Sequence, residues 1–258
     1  MSPEEIAKKI IESSGNSFHS RVAQWLQENE WHVLISPYYM DQSQNKAREI
    51  DLIAERTVPI EGHFGRWQGS VVIRLYIECK FITSNSVFWF TEKDKKSAEQ
   101  LVCRSGNFRT DNSYTNEHHY ISTCESVAKV FATEAKSQEQ EPFYKALNQV
   151  LNAYVSMLNR PPIIPALREH NHGSHVYLNF PIVVCSDFSK LFRTDFLKST
   201  EPTVITDNFQ LEVQYAYTDS SNNAKDDYFL IDFVAYDQLD SFCKKIIRNG
   251  AVSAYLSA

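Results

Sequence analysis

Two stretches decide the reading: Arg48-Glu49-Ile50-Asp51-Leu52-Ile53-Ala54 and Val71-Val72-Ile73-Arg74-Leu75-Tyr76-Ile77-Glu78-Cys79-Lys80-Phe81. The first alternates from Glu49 to Ala54 and reads as a strand; the second is a longer and very apolar strand. Pro59, Gly62, Gly65 and Gly69 mark a loop between them, and Asp41 to Lys46 is a polar turn before them. The stretch 41–81 is therefore expected to form a β-hairpin or meander. Asp51 interrupts an otherwise apolar run, and Glu78 and Lys80 stand at i and i+2, which places their side chains on one face of a strand. If the two strands pair, Asp51, Glu78 and Lys80 converge on one spot. Two carboxylates on a common face suit Mg2+ or Mn2+, which take oxygen ligands. A lysine beside them orients water or stabilises charge that develops on a phosphoryl group.

Working outward, Ser2-Pro3-Glu4-Glu5 carries a helix-start signature with a capping box, and Ile6, Ile10 and Ile11 follow at helical spacing. Gly15 breaks that pattern, and a second helix is expected from Phe18 to Asn29 with Phe18, Val22, Trp25 and Leu26 on one face. Trp31 to Met40 reads as extended. Beyond the hairpin, a helix is expected over 93–104, helical spacing recurs at Ile121, Cys124, Val127, Ala128 and Phe131, and 137–141 is a charged linker. A long amphipathic helix runs from Phe143 to Leu158 and stops at Pro161-Pro162. The last third is mostly strand: His175 to Ser186, Gln210 to Thr218 and Tyr228 to Tyr236, with a turn at 220–223. A final helix presents Leu239, Phe242, Cys243, Ile246 and Ile247. No repeat or low-complexity tract divides the chain. The expectation is one α/β domain spanning 1–258, its mixed central sheet flanked by helices.

Composition narrows the function classes. The 258 residues are 43% hydrophobic and 22% charged, as in ordinary globular chains, and no run of about 18 apolar residues suggests a membrane span. The opening MSPEEIAKKI is charged, so a secretory signal is not expected and the expected location is the cytoplasm. Five cysteines without a CxxC pair fit reduced thiols better than a disulfide framework. A net charge of −6 excludes a general polyanion binder, so contact with nucleic acid would need metal ions or a local basic patch.

The set Asp51…Glu78-Cys79-Lys80, with its gap of 27 positions, resembles the signature of the PD-(D/E)xK, or restriction-endonuclease-like, nuclease superfamily. The resemblance covers about residues 15–158, with the strands and final helix of about 175–250 completing the sheet. It implies a restriction-endonuclease-like core and a divalent-metal-dependent nuclease, with DNA a more natural substrate than RNA, in prokaryotic defence or repair. It implies Asp51 and Glu78 as ligands of Mg2+ or Mn2+, a further ligand from the Cys79 backbone carbonyl, and Lys80 as the catalytic cation. The proline that usually precedes the aspartate is Ile50 here. Many relatives carry a glutamate on the first helix after a glycine; Gly15-Asn16-Ser17-Phe18-His19 puts His19 there, as an additional ligand or water-positioning group. Gln149 resembles a glutamine that some relatives carry on the helix after the Glu-x-Lys strand, although the tyrosine that follows is Tyr154, one place late.

Several other residues bear on function. By strand alternation Glu49 shares the Asp51 face and is either a supporting acid or a solvated strand end. Lys93, Lys95, Lys96, Arg104 and Arg109, against Asp94 and Glu99 and just after Phe88 and Trp89, form a candidate nucleic-acid-binding segment; a solvated helix is the competing reading. The histidines of 169–175 and the His118-His119 pair read as loop and helix-start residues. Asp232 reads as a sheet-end hydrogen-bonding group, and Asp226-Asp227 as a turn. Neither a Ser/His/Asp arrangement nor a phosphate-binding glycine loop is present. Two non-enzymatic readings stand beside the nuclease: a catalytically inactive nuclease-fold module that binds nucleic acid or assembles with partners, and a structural subunit pairing through the β-rich C-terminal third. Self-association as a homo-oligomer is compatible with the sequence.

Overall fold

The computed structural model describes residues 2–41, 44–61, 68–105, 117–134, 142–158, 160–165, 174–198, 201–219 and 223–257. Two helices open the chain, α1 (Pro3–Ser13) and α2 (Gly15–Glu28). The capping box forms as expected: the Glu5 N–H donates to Ser2 Oγ at 3.2 Å and the Ser2 N–H to Glu5 Oε2 at 2.8 Å. Strands β1 (His32–Ile35), β2 (Tyr38–Asp41), β3 (Lys46–Glu49), β4 (Leu52–Glu61), β5 (Gln68–Lys80) and β6 (Ser86–Glu92) follow. Then come α3 (Lys95–Ser105), the short α4 (Tyr120–Thr123), β7 (Ser126–Thr133) and α5 (Pro142–Met157). The chain continues with β8 (Ser174–Cys185), β9 (Leu191–Asp195), β10 (Thr203–Val204), β11 (Phe209–Thr218), β12 (Ala224–Ala235) and α6 (Leu239–Ser257).

A mixed sheet of ten strands runs in the order β1-β4-β5-β8-β12-β11-β7-β6-β9-β10, and β2 and β3 form a separate hairpin. Strand β4 runs antiparallel to both of its neighbours, β1 and β5, and β8 joins β5 in parallel. The sheet buries both faces. On one, Phe18, Val22 and Leu26 of α2 and Leu239 and Ile246 of α6 pack with Leu52, Ala54, Leu75 and Ile77. On the other, Phe143, Val150 and Tyr154 of α5 pack with Ile53, Tyr76 and Val183. No helix among the described residues is long and apolar enough to cross a membrane. All five cysteines are free thiols.

The structure departs from the sequence reading in four places. Asp51 does not lie inside a strand. The chain leaves the β2–β3 hairpin at Glu49 and enters the main sheet at Leu52, so Ile50-Asp51 is the crossing between two sheets. The strand after it runs to Glu61, through Pro59; β1 no longer covers that edge of β4 beyond Glu55, an edge position where proline is tolerated. Residues 126–133 form a strand and not a helix, because Val127 and Val130 pair across to β6. Finally β6, β9 and β10 had no counterpart in the reading; Phe88 and Phe90 of β6 are core residues, Phe88 lying 5.0 Å from the Phe209 ring and 5.4 Å from that of Phe143.

A buried ion pair ties α5 to the sheet. Glu55 and Arg74 face each other across β4 and β5, both at most 1% exposed, with Arg74 Nε donating to Glu55 Oε1 at 2.6 Å. Truncating one member leaves an uncompensated buried charge, so Glu55→Ala is expected to lower unfolding stability by roughly 3–5 kcal/mol. Lys244→Ala, which removes an exposed helix pair with Asp240, should cost less than about 0.5 kcal/mol. Urea unfolding of the two variants checks this, and equal losses would show that Arg74–Glu55 is not a structural joint.

Candidate active site

The crossing at Ile50-Asp51 is held from both faces of the sheet. The Ser36 N–H donates to the Asp51 carbonyl at 2.8 Å, and His19 Nε2 on α2 reaches the same oxygen at 2.9 Å. From the opposite face, Gln149 Nε2 on α5 donates to the Glu49 carbonyl at 3.1 Å, and the Tyr39 hydroxyl donates to the Gln149 carbonyl at 3.2 Å. Ile50 is fully buried between these contacts. So fixed, Asp51 turns its carboxylate toward β5, where Oδ2 accepts the Cys79 N–H at 2.8 Å.

Leu52 pairs with Ile77, and one step outward along both antiparallel strands Asp51 comes opposite Glu78. Glu78 and Lys80 share their face, with Lys80 Nζ 3.4 Å from Glu78 Oε2. The three residues singled out in the sequence thus come together. Glu78 is 1% exposed, and its Oε1 has no hydrogen-bond partner among the described residues. Burial pushes the Glu78 carboxyl up to about 8; the Asp51 charge adds to this, while the Lys80 ammonium and the Asp51 N–H oppose it. The group is therefore mostly a neutral acid near pH 7. The Cys79 side chain packs into the opposite core, and burial raises its thiol well above the ordinary range, which excludes it as a thiolate nucleophile.

The supporting residues divide between the faces. His19 sits on the α2 side and touches the Asp51 backbone, not its carboxylate. It shares a cleft of about 410 Å³ with Asn16, Ser36 and Glu49. The break between β3 and β4 ends the strand alternation, so Glu49 lines this cleft, where it accepts a bond from the Tyr38 hydroxyl. Gln149 acts on the Glu49 backbone from the α5 side. Among the described residues no group of three or more His, Cys, Asp and Glu side chains could hold a metal ion. What fits a divalent cation is the acidic pair itself, with its one buried oxygen lacking a donor.

The basic segment is less open than its sequence suggests. Lys93 is buried, its Nζ donating to the Ile121 carbonyl at 2.6 Å and to Gln210 Oε1. Arg104 is held by Asp227 at 2.6 Å and by the Tyr228 carbonyl. Lys95 and Lys96 are exposed, and Arg109 lies outside the described residues. Phe88 is a core residue and offers no stacking surface. Two features escaped the sequence reading. Tyr39 is buried close enough to Glu78 to feel its charge, while its neighbour Tyr38 is exposed, and nothing local in the sequence tells the two apart. Asp232 does take a hydrogen-bonding role, but inside a buried chain, accepting from Gln210 Nε2 and the Tyr120 hydroxyl, each at 2.9 Å.

The raised Glu78 carboxyl makes a signed stability claim. Its folded value of about 8 lies above the ordinary 4.5, so its contribution is complete below about pH 4.5 and is lost as pH rises toward 8. Glu78→Gln, which mimics the neutral acid, should match the wild type near pH 4.5 and exceed its stability at pH 8 by on the order of a few kcal/mol. Urea unfolding in chelator at the two pH values measures this; a difference that does not change with pH would contradict it.

Comparison with protein-family models, with curated proteins and with solved structures returns no match for this chain.

Proposed function

We propose that this chain is a divalent-metal-dependent nuclease of the PD-(D/E)xK type, hydrolysing phosphodiester bonds in DNA. The observation that carries the reading is the meeting of Asp51, Glu78 and Lys80 where β4 begins and β5 ends, with a buried Glu78 oxygen left without a donor among the described residues. The surrounding order supports it: helix α2, then antiparallel β1, β4 and β5, with Asp51 entering β4 and Glu-x-Lys ending β5, and later a helix and a strand parallel to β5. Defence against foreign DNA, or repair, is the setting that the resemblance suggests.

Asp51 and Glu78 would hold the Mg2+ or Mn2+ ion, with the Cys79 carbonyl as a further oxygen. Such an ion polarises a phosphoryl oxygen and makes its waters more acidic. The chain's own groups do the rest. Glu78 gives up its proton when the cation arrives, so binding releases a proton below about pH 8. Lys80, partly exposed beside the carboxylates, presents an ammonium to the phosphate and stabilises charge as it develops. His19 and Gln149 are positioning residues, fixing the peptide that aims Asp51.

One observation favours the second reading, an inactive nuclease-fold module: the acidic pair has no third His, Cys, Asp or Glu side chain beside it among the described residues. Calorimetric Mn2+ titration run beside a DNA cleavage assay separates the two. Asp51→Ala should abolish both cation binding and cleavage. Lys80→Met should spare cation binding and slow cleavage by about 10²–10³-fold, the scale of one lost charge-stabilising group. His19→Ala should slow cleavage less than Asp51→Ala. If Lys80→Met cuts as fast as the wild type, or if no Mn2+ binds, the binding-module reading replaces this one.

A further inference from the structure

The large sheet has a seam. Strand β8 pairs with β5 along its whole length, and β12 pairs with β11 from Ala224 to Phe233. The two inner strands pair with each other only from Ile182 to Cys185 and from Asp232 to Ala235. Pro181, which has no N–H to donate, stands where that ladder stops. Continued pairing would have set Asn179 opposite Phe229. Instead the strands part, and both residues line a cleft of about 510 Å³ that also involves Tyr154 of α5. A cleft of this size accommodates a small organic molecule.

Its chemistry is mixed in a specific way. Asn179 is 7% exposed, and its Oδ1 has no hydrogen-bond partner among the described residues. A buried amide oxygen without a donor is unfavourable unless an occupant supplies one. Tyr177, Tyr217 and Phe229 give the cleft aromatic walls. Arg104 lies over the Phe229 ring at 5.3 Å and is steadied by Asp227, which also accepts the Tyr217 hydroxyl at 2.7 Å. Arg160 also lines the cleft, and among the described residues its guanidinium meets only the weak acceptor Met157 Sδ, at 3.3 Å, leaving donors for an anion. No carboxylate is among the described lining residues.

We propose that this cleft is a nucleotide-binding site, in which the base lies against the aromatic walls, a base N–H or amino group donates to Asn179 Oδ1, and the phosphates meet Arg160 and Arg104. An apolar occupant would leave Asn179 Oδ1 and the Arg160 guanidinium unanswered. An inorganic anion would leave the aromatic walls and the amide unused. The cleft lies four residues along β8 from Val183, the register partner of Glu78, a span of roughly 13 Å. It is thus separate from the carboxylate pair and does not depend on the nuclease reading.

Calorimetry in chelator with ATP, GTP, CTP and UTP, beside their nucleosides and inorganic triphosphate, tests the site without any metal chemistry. At least one nucleotide should bind at least about tenfold more tightly than both its own nucleoside and triphosphate. Asn179→Leu should weaken that nucleotide by about tenfold or more without lowering the unfolding temperature. Arg160→Gln, a change at a partly buried side chain that keeps the backbone contacts, should weaken the nucleotide and leave the nucleoside unchanged; it decides the matter alone if Asn179→Leu does not fold. Affinities weaker than about 1 mM for all four nucleotides, triphosphate binding as tightly as any of them, or affinities unmoved by Arg160→Gln would each overturn the assignment.

Discussion

The Arg74–Glu55 pair is the joint on which the two halves of this structure hang. A guanidinium and a carboxylate without solvent contact persist only if their remaining hydrogen-bonding capacity is met. Here the neighbouring chain meets it. Arg74 Nη1 donates to the Met157 carbonyl at 3.3 Å and Nη2 to the Arg160 carbonyl at 3.0 Å, so the guanidinium caps the C-terminal end of α5, where a helix favours positive charge. Glu55 Oε2 accepts the Ile163 N–H at 2.7 Å, and the Tyr76 hydroxyl also donates to the Met157 carbonyl, at 3.0 Å. The segment after α5 thus wraps around an ion pair. The helix is placed along the sheet so that its Gln149 reaches the Asp51 crossing and its Tyr154 reaches the seam.

The same face carries a second buried glutamate with the opposite character. Arg74, Tyr76 and Glu78 alternate along β5, only about 13 Å from end to end. Glu55 has partners for both oxygens, while Glu78 has an ammonium at 3.4 Å on one oxygen and nothing among the described residues on the other. Packing alone does not call for the second arrangement, since a glutamine or an apolar residue would fill that position at less cost. A carboxyl held dry beside another carboxylate keeps its proton near pH 7, and it would be ionised there only with added positive charge beside it. That contrast between two acids of one hairpin, more than any signature, is what makes Asp51 and Glu78 a candidate site.

How much of this was legible depends on the scale of the cause. Local causes were readable: the Ser2–Glu5 cap, the amphipathic stripe of α5 ending at paired prolines, and the i, i+2 spacing that set Glu78 and Lys80 on one face. Causes set by long-range pairing were not. The crossing at Ile50-Asp51 exists because β3 and β4 belong to different sheets, and a single alternating run of residues does not reveal that. The strand at 126–133 carried helical spacing because both of its faces are partly covered, which blurs a period of two. Arg74 and Glu55 looked like single charges in apolar strands until the register set them opposite each other. The seam beside Pro181 was likewise invisible, because nothing in the sequence said which strand would lie next to β8.

Charge distribution bears on what approaches this surface. The chain carries 32 acidic and 26 basic side chains, and many of the described cations are already engaged within the fold. Arg48 pairs with Asp41, Arg56 with Glu30, Arg74 with Glu55, Arg104 with Asp227 and Lys129 with Glu212, while Lys93 is buried against carbonyl oxygens. A polyanion nearing such a surface meets an acidic excess, and these six cations already answer groups of the fold. Attraction to a phosphodiester must then be concentrated where charge can be added locally. The acidic pair would be such a place: a divalent cation there, with Lys80 beside it, would outweigh the two carboxylates and leave positive charge to meet a phosphate. In a chain of this composition, metal binding and substrate binding at Asp51 and Glu78 would be one electrostatic event.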